Sequence, residues 1–161
     1  MKKSSTVFLQ VVIVLIGISV LALMLWMPHL EGRNAQATWF AIYFKDPFLA
    51  CVYMGSIPFF IGLYQACKVL GYVRQNKVFS PMAVKALRII KYCAFVTAGA
   101  IVAVDAYLMM VARSNGEDAA GAVMMGIIAT FTSVVIGTAA TVFERILQNA
   151  TDIKSENDLT V

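Results

Sequence analysis

Four long apolar runs divide the chain, at residues 7–27, 47–66, 92–112 and 119–143. Each approaches the roughly 20 residues that a helix needs to cross a hydrocarbon core about 30 Å thick. None alternates apolar and polar positions as a half-buried strand does. A helix also satisfies its own backbone hydrogen bonds, which lipid requires. The pattern predicts an all-α membrane protein, a four-transmembrane-helix bundle. Pro28 closes the first run, and Pro58 inside the second removes one backbone donor and predicts a kink there.

The polar stretches between the runs refine this outline. Phe79-Ser80-Pro81 is a helix start, with Ser80 as cap and Pro81 at the first helical position. No breaker follows before the third loop, so one helix is predicted from Pro81 to about Ala112. At 1.5 Å per residue it is about 48 Å long, so about three turns stand outside the core. The fourth run also outlasts the membrane, because Phe143, Ile146, Leu147 and Ile153 keep helical spacing. Residues 144–161 therefore read as a cytoplasmic helix extension followed by a flexible, polar tail over 151–161. Helices 3 and 4 are thus both extended into the cytoplasm, within a single domain spanning 1–161. The apolar loop 28–46 is expected to lie on the membrane surface as a short helix. Ser114-Asn115-Gly116 makes the loop 113–118 a tight turn, which turns spans three and four into a hairpin.

Composition and charge set the orientation. Of 161 residues, 60% are hydrophobic and only 14% charged, too few charges to clothe a soluble surface. Disordered chains, basic nucleic-acid modules and disulfide scaffolds are excluded. The net charge is +4, but its distribution says more. Ten Lys and Arg residues lie at the two termini and in the segment between spans two and three, against three in the other loops. That asymmetry places both termini in the cytoplasm. Lys2 and Lys3 before the first run resemble a signal-peptide start, but the run is too long and the Pro28-His29 end is a poor cleavage site, so it reads as a retained anchor. Cys51, Cys67 and Cys93 form no CxxC pair and read as packing thiols.

Few residues carry candidate chemistry. Asp105 is the one ionisable side chain inside a span, either a structural hydrogen-bonding group or a functional site. Met24, Met27, Met54, Met109, Met110, Met124 and Met125 share the outer half of the membrane, but methionine is an ordinary gap filler and no metal is assigned. Ala129, Ser133, Gly137 and Thr141 recur every fourth residue, beside a second row of Ala122, Gly126, Thr130 and Thr138. Such rows let helices approach closely, within one chain or in a homo-oligomer. Outside the membrane, Lys85, Arg88 and Lys91 share a side of helix 3 with Tyr92. They suit lipid headgroups or an acidic partner. Asp152, Glu156, Asp158, Leu159 and Val161 on the tail offer acids and apolar anchors to a cytoplasmic protein. There is one histidine and no HExxH, GxSxG or phosphate loop, so neither an enzyme nor a cofactor is indicated.

Several segments carry a resemblance. They are Gly55-Ser56-Ile57-Pro58-Phe59-Phe60 with Leu63-Tyr64-Gln65-Ala66, Asn76-Lys77-Val78-Phe79-Ser80, Ala86-Leu87-Arg88-Ile89-Ile90-Lys91-Tyr92-Cys93, and the close from Leu147 to Val161. Together they resemble the YoaS-like family of bacterial membrane proteins of unknown function. The resemblance implies four spans, in a bacterial inner membrane. Family members are commonly encoded beside a small helix-turn-helix regulator of the Cro/repressor type. The resemblance therefore implies a membrane protein that binds or sequesters a small DNA-binding regulator, with no direct contact to nucleic acid. A different class of reading is a small transporter, channel subunit or self-immunity protein acting within the membrane through Asp105.

The charge asymmetry generates a topological prediction. In a background without native cysteines, Asn115→Cys is expected to react with an impermeant thiol reagent added outside cells, and Gln75→Cys to stay unlabelled until lysis. The reverse pattern contradicts the orientation.

Overall fold

A computed structural model describes residues 3–30, 47–116 and 118–158. These form four helices, α1 (Lys3–Leu30), α2 (Pro47–Arg74), α3 (Pro81–Asn115) and α4 (Ala120–Asp158), and no strand occurs among the described residues. All four are long and apolar enough to cross a membrane. Each packs on its neighbour in sequence: α1 on α2, α2 on α3, α3 on α4.

The α1–α2 pair is antiparallel and held by a polar contact near each end. Gln10 Nε2 donates to the Cys67 carbonyl at 3.1 Å, and Tyr53 Oη donates to the Met24 carbonyl at 2.6 Å. The second contact explains why α1 continues past Pro28 to Leu30 instead of stopping there. Proline lacks the N–H that the carbonyl four residues earlier would accept. That carbonyl belongs to Met24, and the Tyr53 hydroxyl takes the place of the missing donor. Between these contacts, Leu63 fits against Gly17. α2 runs through Pro58 and beyond Ala66 to Arg74 without interruption.

α3 is continuous over 35 residues, as its cap and unbroken helical sequence predict. Ser80 Oγ accepts from the Ala83 N–H at 3.4 Å and donates to the Lys77 carbonyl at 2.8 Å. The far end goes three residues beyond Ala112. Gly116, at φ 70°, closes it by donating its N–H to the Ala112 carbonyl. That left-handed conformation favours glycine. Asp118 then accepts from the Ala120 N–H at 2.9 Å as α4 begins.

The α3–α4 hairpin rests on small residues. Val123, Gly126, Thr130, Ser133, Gly137, Ala140 and Glu144 alternate in steps of three and four along α4, and none of them is exposed. Gly137 sits under Phe95, where a Cβ would stand 3.1 Å from the ring. On its other side α3 approaches α2 as closely, since a Cβ at Gly55 would lie 3.0 Å from the Ala100 methyl. Lipid is as apolar as leucine, so close van der Waals packing must hold such helices together. The packed row thus draws on both rows read from the sequence: Gly126, Thr130, Ser133 and Gly137 are used within the chain, whereas Ala122, Ala129 and Thr138 are exposed.

The tail expected to be flexible from 151 is helical to Asp158. Side chains brace this stretch locally: Thr151 Oγ1 donates to the Leu147 carbonyl, and Gln148 Nε2 to Asp152 Oδ1. Cys51 is exposed, which a packing thiol is not, while Cys67 and Cys93 are half-buried. Of the loop 28–46, expected as a surface helix, residues 28–30 belong to α1 and the rest lies outside the described residues, as do the anchors Leu159 and Val161.

The glycine seam yields a stability prediction. Gly137→Leu overfills the space beneath Phe95 and is expected to lower the melting temperature in detergent, at a cost of about 1–3 kcal/mol. Adding Phe95→Ala should recover part of the loss. Unchanged melting in the single variant would show that the two helices are not in close contact there.

Candidate functional site

The end of the bundle that carries the basic segment holds a charged knot. Lys85, Arg88 and Lys91 stand on successive turns of α3, and α4 delivers Glu144 between two of them. Arg88 Nε and Lys91 Nζ each lie 2.6 Å from a different Glu144 carboxylate oxygen. The Glu144 side chain is 10% exposed and that of Lys91 18%, while Arg88 reaches out to 53%. Lys91 also lies over the Tyr92 ring, 4.9 Å from its centre. Glu144 falls just past the fourth apolar run. Burial there works against its charge, yet the hydrogen bonds from Lys91 and Arg88 outweigh it and hold the carboxyl below the usual range. Arg88 is shifted upward in turn, chiefly by its hydrogen bond to Glu144.

Beside the knot lies a groove of about 600 Å³ between the ends of α3 and α4. Lys85, Arg88 and Tyr92 line one wall, and Gln148, Thr151, Asp152 and Ser155 the other. The structure thus brings Lys85, Arg88 and Asp152 to one groove. Lys91 faces Glu144 instead. Glu156 stands exposed on the last turns of α4, and Asp158 is the final residue of the helix.

Glu144 is the residue that sequence reasoning missed. A signal existed: it follows the fourth span as Lys91 precedes the third, and the two lie at similar distances from the Gly116 turn. In an antiparallel hairpin, such positions meet.

The second candidate lies toward the hairpin end. Asp105 is 9% exposed and faces Gly126 of α4, where any Cβ would overlap its carboxylate. The carboxylate has no hydrogen-bond or ion-pair partner among the described residues, so the structural bond that a buried acid calls for is missing. The methionines do not converge on it. Met54, Met109, Met110, Met124 and Met125 are all exposed, and among the described methionine side chains only Met24 borders the space near Asp105.

Comparison with known proteins places this architecture. A family model described as "Protein of unknown function (DUF2975)" matches residues 31–161. The chain is 41% identical over 167 residues to a protein of Bacillus subtilis (strain 168) named "Uncharacterized membrane protein YoaS", with the whole of both chains covered. No solved structure matches.

The knot supports a stability prediction with a defined sign. Glu144→Gln leaves Lys91 largely buried without a counter-charge. A fully buried broken pair costs ~3–5 kcal/mol, and partial exposure reduces this to about 1–3 kcal/mol. Melting in detergent should fall accordingly, and Lys91→Met in the same chain should restore much of it. The folded carboxyl titrates below its unfolded value. Its contribution is therefore complete above the ordinary carboxylate range and is lost as pH falls through the lowered folded value. A Glu144→Gln variant that melts like the parent at neutral pH would remove the knot from the structure's supports.

Proposed function

The chain belongs to the DUF2975 family, and from that premise we propose that this membrane protein binds and sequesters a small cytoplasmic helix-turn-helix transcription regulator at its basic end. The observation that carries the reading is the course of α4, which continues as a helix well past its apolar run, to Asp158. On that extension Ile146 and Ile153 are both exposed, two turns apart. An apolar pair at that spacing is how a helix docks into a partner's groove. Asp152 and Glu156 flank Ile153 with acidic charge, which complements the basic, DNA-facing surface of a small regulator. A regulator held this way has that surface covered and is kept from DNA. The excess of Lys and Arg in the neighbouring segment supports a cytoplasmic position for this end.

The charged knot has a supporting part in this reading. It locks α4 to α3 immediately before the extension, so the docking surface projects from a fixed base. Ordering the helix in advance reduces the entropy lost on binding.

The test is co-purification of the full-length protein from its host with the small helix-turn-helix regulator that the family resemblance implies, together with a transcriptional reporter for that regulator. Truncation after Asn149 keeps Glu144 and its partners. It is expected to abolish recruitment and release the regulator to DNA. Ile153→Asp should weaken recruitment by at least tenfold, since burying one isoleucine contributes about 1.5–3 kcal/mol. Recruitment and reporter output that both survive the truncation would end this reading.

A further inference from the structure

Two cavities of about 420 and 400 Å³ follow each other along α3 and share Phe59, Thr97 and Ile101. The first lies where α1 and α4, which make at most marginal contact, leave the α2–α3 face uncovered. The second continues between α2 and α4. The walls are almost wholly apolar. Ser56, Thr97, Asp105, Thr132 and Ser133 break this, and of these Thr97 and Asp105 are more than nine-tenths buried. Asp105, at 9% exposure, lines the first cavity with no partner among the described residues. Thr97, at 8%, lies where the cavities join, and its Oγ1 has no hydrogen-bond partner among the described residues. Ser56 differs, because its hydroxyl is already used on the Tyr53 carbonyl at 2.7 Å.

These groups define a ligand. A buried carboxylate accepts hydrogen bonds and calls for a positive charge; a buried hydroxyl without a partner can donate or accept. Asp105 and Thr97 are eight residues apart on one helix, about 12 Å along its axis. At roughly 1.2 Å per bond of extended chain, about ten bonds span that distance. The volumes fall in the ordinary range for small-molecule sites, which combine apolar walls with a few placed polar groups. Gly126 has a direct place in the arrangement, since any side chain there would occupy the space of the carboxylate.

We infer that this intramembrane trough binds a long-chain amine carrying a second hydrogen-bonding group, with its ammonium on Asp105, its chain past Ile101 and its second polar group at Thr97. An amphiphile of this kind partitions into the bilayer and enters sideways between α1 and α4. The inference is independent of the regulator-docking surface, which lies at the opposite end of the α3–α4 hairpin.

The probe is tritiated 10-aminodecan-1-ol, added to the full-length protein in lipid nanodiscs, with empty nanodiscs as the blank. Saturable binding above the blank is expected. Asp105→Asn should weaken it at least tenfold and Thr97→Val about threefold, with both variants retaining the parent melting temperature. Uncharged decane-1,10-diol should compete at least tenfold more weakly than unlabelled probe. This last comparison needs no variant and holds even if Asp105→Asn does not fold. Absence of saturable binding, unchanged affinity in folded Asp105→Asn, or equal competition by the diol would each overturn the proposal.

Discussion

The close approach of α3 and α4 is the constraint on which the rest of the structure depends. Within a bilayer, bringing two apolar helices together removes no water from them, so the usual driving force of folding is missing. What remains is contact at short range, and contact requires the backbones to come near. The glycines at 126 and 137 and the small residues between them allow this along α4. α3 uses the same device on its other side, where Ala100 meets Gly55 and Cys93 meets Gly62. It is therefore the central helix, and α1 is held more loosely, chiefly on α2.

The basic end follows different physics. There Ala83, Val84, Ala86 and Leu87 are buried at the start of α3, before the apolar run begins. A cluster of buried aliphatic side chains outside the span is what the hydrophobic effect produces where water is present. Glu144 is buried in the same region, and it tolerates burial because two cations reach it at hydrogen-bonding distance. Apolar packing and the charged knot together tie the hairpin at the point where α4 leaves the membrane segment.

Two acids thus stand in one helix–helix seam and are treated in opposite ways. Glu144 meets its partners within the chain. Asp105, some 14 residues further along α3 than Lys91 and hence about 21 Å away along the axis, meets a glycine and an apolar cavity and, among the described residues, no polar partner. A buried carboxylate without a donor is costly in a bilayer. That cost is the physical ground for assigning Asp105 to a ligand and not to the scaffold.

Much of this architecture was legible in the chain. The four spans follow from run length, the start of α3 from Ser80-Pro81, and the hairpin turn from Gly116, because each depends on local backbone chemistry or on the thickness of a bilayer. The small-residue rows announced close packing on α4 but not its partner, since a glycine face fits any helix that reaches it. Likewise Lys85, Arg88 and Lys91 read as one cationic surface until α4 brought Glu144 to two of them. Pro28 read as a stop, because only the approach of Tyr53 from α2 supplies the donor that the helix lacks. Whether a buried acid is paired, and whether a proline ends a helix, depends on groups far away in sequence. For those questions the sequence supplies the chemistry, and the tertiary structure alone supplies the distance.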